Sequence, residues 1–100
     1  LSRSVGANVI LVNGSLVCYI SRGEKQLLIF LPEDEPVRSN AARELARVLA
    51  SLVKDGPRRA MLVVEVNDEP VARSPLAPFL VEQGFVPTAM GYQLRAATHA

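Results

Sequence analysis

Val9-Ile10-Leu11-Val12-Asn13-Gly14-Ser15-Leu16-Val17-Cys18-Tyr19-Ile20 sets two apolar runs either side of Asn-Gly. A type I′ turn needs positive φ at both central residues, and Asn-Gly supplies it, so this stretch predicts a tight β-hairpin. Working outward, Ser21-Arg22-Gly23-Glu24 gives the next reversal and Gln26 to Leu31 a third strand. The first third of the chain is therefore expected to be an antiparallel meander. Pro32 ends it, and Glu33, Asp34 and Glu35 crowd before Pro36, as suits a helix start, where free amides attract negative charge.

From Val37 to Lys54 the apolar residues Ala41, Leu45, Val48, Leu49 and Leu52 recur at helical spacing, and Gly56-Pro57 supplies a stop. Leu45, Leu49 and Leu52 are expected to face the sheet. Ala60 to Val66 predicts a fourth strand. Ser74-Pro75 predicts a second helix, with Ser74 as N-cap, Pro75 at the first position, Leu76, Phe79 and Leu80 inward, and Gly84 as its end. Phe85-Val86 and Gly91 to Arg95 complete the extended segments. The expected fold is α+β, a mixed and largely antiparallel sheet with an N-terminal three-stranded meander and two helices, in the order β-β-β-α-β-α-β. Apolar residues occupy both faces of several strands, as in Leu16/Cys18/Ile20 and Leu62/Val64/Val66. Either the helices split across both faces or another domain covers the second; the split is the expectation, since it needs no partner.

One hundred residues suit a single domain spanning 1–100, and 49% hydrophobic residues exclude a disordered chain. The chain opens on Leu1 without a signal-peptide pattern, which suggests excision from a longer protein. Eleven basic and ten acidic residues leave a net charge of +1, too weak a field to grip nucleic acid without a local patch. No apolar stretch nears the roughly 20 residues of a membrane span. The one cysteine, Cys18, sits in an apolar run and reads as a small buried hydrophobe, compatible with a reducing compartment.

Catalytic motifs are missing. There is no GxxxxGK[ST] or GxGxxG phosphate loop, and no HExxH or CxxC metal set. No cofactor is expected. His99 reads as a surface residue of the tail. Asp68 and Glu69 look like turn residues after Asn67, and Glu65 is read as an outward polar residue in an apolar strand. The basic residues are the candidates for a site. On a helical wheel Arg43, Arg47 and Lys54 fall within about 40° of one another, opposite the apolar stripe, along a ridge roughly 16 Å long. They are the candidate nucleic-acid-binding residues, against the alternative of a solvated helix face. No aromatic residue interleaves them, which argues against a single-strand stacking platform.

Three stretches carry a resemblance as an ordered set: Gly6-Ala7-Asn8-Val9-Ile10-Leu11-Val12-Asn13-Gly14-Ser15-Leu16-Val17-Cys18-Tyr19-Ile20, then Arg22-Gly23 through Leu27-Leu28-Ile29-Phe30, then Ser74-Pro75-Leu76 with Gly84-Phe85-Val86 and Gly91-Tyr92-Gln93-Leu94-Arg95. Together they resemble the extreme C-terminal segment of bacterial large helicase-related (Lhr) proteins. A second glycine is common at the turn where this chain has Glu24. The resemblance implies a parent that is a superfamily 2 ATP-dependent DNA helicase, cytoplasmic and associated with DNA repair, whose ATP-binding, winged-helix and glycosylase-like regions lie upstream. No functional residue of the family falls on a position of this chain, and the implied role is that of a non-catalytic accessory domain. Its partners would be upstream domains of the parent and, through the parent, DNA. Two alternatives stay open. One is a protein-interaction module without nucleic-acid contact. The other is an N-acyltransferase-like domain, which the missing Q/R-x-x-G-x-G/A signature and the short chain count against.

Overall fold

The structure is a computed structural model that describes residues 3–5, 9–12, 15–21, 23, 25–56 and 59–96. Asn13-Gly14, Arg22, Glu24, Pro57 and His99, all singled out in the sequence, lie outside the described residues. The chain runs β1 (Arg3–Val5), β2 (Val9–Val12), β3 (Ser15–Ile20), β4 (Gln26–Ile29), α1 (Val37–Lys54), β5 (Ala60–Val63), β6 (Glu65–Val66), β7 (Glu69–Pro70), a single 3-10 turn (Val71–Arg73), α2 (Ala77–Glu82), β8 (Val86–Pro87) and β9 (Tyr92–Arg95). The α+β class holds, and the meander stands as β2, β3 and β4. β2 and β3 pair antiparallel with Val12 opposite Ser15, and Ser21 closes the next reversal by hydrogen bonding Gln26 through both N–H and Oγ. Among the described residues every strand pairing is antiparallel except β4 with β6.

The structure adds detail that the sequence concealed. β1 extends the meander at its outer edge. The run expected as one strand over 60–66 is divided between two sheets: β5 pairs with β9, while β6 pairs with β4. The change occurs at Val64, where the N–H groups of Val64 and Glu65 both donate to the Lys25 carbonyl, at 2.8 and 3.1 Å. The sheets are therefore β1-β2-β3-β4-β6-β7 and β5-β9-β8. A strand that bends from one sheet into another is a common way to turn a corner. β6 and β7 form a hairpin through Asn67 and Asp68, both at positive φ (54° and 66°), which Asn and Asp tolerate better than most residues. Asn67 also stands in for a strand residue. Its Oδ1 accepts the Ile29 N–H at 2.8 Å, and its own N–H donates to the Leu27 carbonyl at 2.8 Å.

Helix α1 spans the expected residues. Its entry uses Glu35, whose carboxylate accepts both the N–H and the hydroxyl of Ser39, at 2.8 and 2.7 Å; these bonds hold the Glu35 carboxyl below the usual range. Just past the helix end, Gly56 lies so close to the last turn that a Cβ there would be 2.6 Å from the Leu52 carbonyl oxygen. Leu45, Val48, Leu49 and Val53 are fully buried, with Ala42, Ala46 and Ala50 letting the backbone approach closely. Leu52 and Ala41, expected inward, are half-buried, and Leu52 packs on the edge of the core. The second helix begins two residues later than expected. Ser74 caps the preceding turn instead, its Oγ accepting the Leu76 N–H at 3.0 Å and its carbonyl accepting the Ala77 N–H.

One apolar cluster joins everything. Ile10, Cys18, Ile20, Leu27 and Ile29 of the first sheet, Met61, Val63 and Leu94 of the second, and Leu76 and Leu80 near α2 all meet α1 within it. Burying one such leucine contributes about 1.5–3 kcal/mol. Helix α1 touches β3 and β9, and α2 packs on α1 and the 3-10 turn. Both helices thus serve a single core. The expected split across the two faces of the meander does not occur: Tyr19, Leu28 and Phe30, on its far face, are 44%, 43% and 50% exposed. With both helices filling one core, neither covers the other face.

Candidate functional site

The three ridge residues lie on the side of α1 next to α2. Arg43 Nε is 3.6 Å from Glu82 Oε1, and its guanidinium sits 5.1 Å from the Phe79 ring centroid. Arg47 Nε donates to Glu44 Oε2 at 3.0 Å, and its Nη2 pairs with Glu44 Oε1. That pairing moves the Arg47 guanidinium still further toward its charged form. Lys54 Nζ donates to the Gln83 carbonyl at the end of α2, 2.8 Å away. Arg43 and Lys54 are thus brought together as two ties between the helices, and Arg47 pairs one turn back along its own helix. Arg43 and Arg47 keep about half of their side-chain surface in solvent, at 52% and 47%. Exposed pairs of this kind are worth roughly 0–1 kcal/mol and can exchange partners.

The sequence showed apolar residues on both faces of the strands, but not which of them the helices would leave exposed on the far face of the first sheet. Val9, Tyr19 and Leu28 are registered neighbours across β2, β3 and β4, and Phe30 follows two residues after Leu28 on the same side. Cys18, Ile20, Leu27 and Ile29, on the same strands but of opposite parity, are at most 6% exposed. Gln26 and Glu65 border the apolar face, joined by a 2.8 Å bond from Gln26 Nε2 to Glu65 Oε1. The outward reading of Glu65 fits this placement, although the residue is half-buried. The signal available in the sequence was the parity of Gln26, Leu28 and Phe30 with the outward Glu65. It was masked because both parities of β3 and β4 are apolar.

Two hollows open beside this face. One, of about 270 Å³, is lined by Tyr19, Gln26, Leu28 and Asp68. The other, of about 430 Å³, is lined by Phe30, Glu33, Arg38 and Asn67, and Arg38 Nη1 donates to the Pro32 carbonyl at 3.1 Å. A third, of about 320 Å³, lies between Val64, Pro70 and the loop Thr88–Gly91, where Thr88 Oγ1 accepts the N–H groups of Met90 and Gly91. None of the three holds a paired nucleophile and base. Cys18 is buried, and burial pushes its thiol up to about 12, which makes it a poor nucleophile at neutral pH. Among the described residues no group of three His, Cys, Asp or Glu could hold a metal ion, and no helix is long and apolar enough to cross a membrane.

No protein-family model matches the chain, and no solved structure matches it significantly. The chain is 31% identical over 90 residues to the Lhr helicase/uracil glycosylase of Escherichia coli (strain K12). The match takes in 90% of this chain but only 6% of that protein's length. The resemblance carried by the ordered hairpin, turn and closing Gly-Phe…Leu-Arg motifs therefore stands, and this chain is a Lhr-related domain.

Proposed function

We propose that this chain is a non-catalytic accessory domain from the C-terminal end of a longer, cytoplasmic Lhr-like ATP-dependent helicase linked to DNA repair. Its work is to hold a neighbouring domain of the parent against the far face of the first sheet. The observation that carries this reading is the partial exposure of Tyr19, Leu28 and Phe30 on strands whose opposite side is fully buried. A contiguous apolar face of this kind marks an interaction surface more often than a solvent-facing one. The test is to place a thiol at the centre of the face as Leu28→Cys and follow maleimide labelling in the isolated chain and in the full-length protein. Cys18 gives little background, because it is buried and its thiol pKa is high. Fast labelling of the isolated chain and slow labelling of the full-length protein are expected; equal rates would remove the docking role.

Direct DNA contact through Arg43, Arg47 and Lys54 is a second, weaker reading, supported by the solvent exposure that Arg43 and Arg47 retain. A phosphate would have to compete with Glu82, Glu44 and the Gln83 carbonyl for these donors. Such contact would be weak alone and would matter only through the effective concentration that attachment to a DNA-bound motor provides.

A further inference from the structure

The apolar far face is bordered by carboxylates along its β6 side and at one end. Glu65 lies at its β6 edge, bonded to Gln26, and Asp68 lines the hollow beside Tyr19 and Leu28. At the other end Glu33 lines the hollow beside Phe30. Among the described residues Arg38 is the only basic one lining either hollow, and it donates to the Pro32 carbonyl. Among the described residues no cation forms an ion pair with Glu33, Glu65 or Asp68. The Arg38 charge offsets Glu33, so the described border carries three carboxylates against one guanidinium and is net negative on its β6 side, although the whole chain is +1.

Resting on the docking role proposed above, we infer that the occupant of this face is an apolar protein surface bordered by Lys and Arg, on another domain of the parent chain. Charge complementarity selects it. An apolar centre with an acidic border gains from a cationic border on the partner, and juxtaposed like charges cost several-fold or more in affinity. The same border disfavours nucleic acid, because phosphates would approach three carboxylates, and it disfavours a second copy of this chain, which would bring the same carboxylates together. The relative leaves ample room for such a partner, since nearly all of its length lies outside the matched stretch.

The test uses two amphipathic helical peptides with the same leucines, one carrying lysines and the other glutamates, titrated into this chain and followed by NMR. The Leu/Lys peptide is expected to shift Tyr19, Leu28 and Phe30 and to weaken as salt rises, while the Leu/Glu peptide leaves them unmoved. A Glu33→Gln, Glu65→Gln, Asp68→Asn variant keeps the side-chain shapes and should bind the Leu/Lys peptide about tenfold more weakly. Equal binding of both peptides, no binding, or an unchanged affinity of the neutralised variant would overturn the inference. So would an oligonucleotide that shifts the same residues, or a dimer in sedimentation that Leu28→Ser abolishes. The two levels separate cleanly. Shielding of Leu28→Cys in the full-length protein with no charge preference leaves docking intact and removes the cationic partner, whereas an unshielded Leu28→Cys removes docking itself.

Discussion

The two faces of the first sheet are made by the same strands, with similar residues, and have opposite fates. On one side Ile10, Cys18, Ile20, Leu27 and Ile29 disappear beneath α1. On the other Tyr19, Leu28 and Phe30 keep 43–50% of their surface in solvent. The difference lies in what the rest of the chain can reach. With both helices spent on one core, the second apolar face has no cover within the described residues. Composition sets how much apolar surface a strand offers. Connectivity decides how much of it the chain can bury by itself.

The contrast can be broken most directly by truncating one residue on each side. Leu49→Ala removes a fully buried side chain under the inner face and should cost about 2–5 kcal/mol in a denaturant melt. A loss below about 1 kcal/mol would mean that the inner face is not the core. The pH dependence of stability sharpens the same point through Cys18, whose thiol is raised from 9.0 to about 12 by burial. Between those values the unfolded chain gives up the proton and the folded chain keeps it. Stability contributed by the neutral thiol is therefore complete below pH 9 and declines toward pH 12, by on the order of 1 kcal/mol per unit. Comparison with Cys18→Ala isolates this slope from other groups that titrate there; identical slopes would show that the thiol is not sequestered.

Asn67 offers an intermediate case at the boundary between the faces. Asn67→Ala loses two bonds to the Ile29 backbone and places a Cβ-bearing residue without local polar compensation at φ 54°. It should cost about 1–3 kcal/mol, and Asn67→Gly should recover part of that loss. On the outer face, Leu28→Ser should change stability by less than about 0.5 kcal/mol while abolishing docking. The smallest effect is expected at the ridge. Arg43→Ala, Arg47→Ala, Lys54→Ala should barely move the melt. If the ridge touches duplex DNA, the triple variant should lose a log–log salt slope near −2.7, from about −0.9 per phosphate contact. Equal binding by both proteins, or by neither, would remove the ridge as a DNA site.

Much of the fold was legible in the sequence. The limits of α1 were legible because a long amphipathic run, a proline entry and a glycine stop all coincide between Val37 and Lys54. The meander was legible because apolar runs alternate with turn residues. The division of 60–66 was not. Met61 and Val63 point into the core and so does Val66, which breaks the two-residue period, but Leu62 and Val64 are also apolar and hide the break. That both faces of the strands are apolar was legible; which face the helices would leave open was not, for the same reason. The ridge was found as a pattern on a helical wheel, yet its ties to Glu82, Phe79 and Gln83 depend on how α2 packs, which no spacing within α1 encodes.

The crossing at Val64 has a thermodynamic consequence. β5 and β6 belong to different sheets and are separated only by Val64, which together with Glu65 is anchored on the Lys25 carbonyl. Neither sheet can open without pulling on a strand of the other through covalent bonds. The two sheets should therefore unfold as one cooperative unit, with the amides of Met61, Val63 and Val66 exchanging through the same global opening.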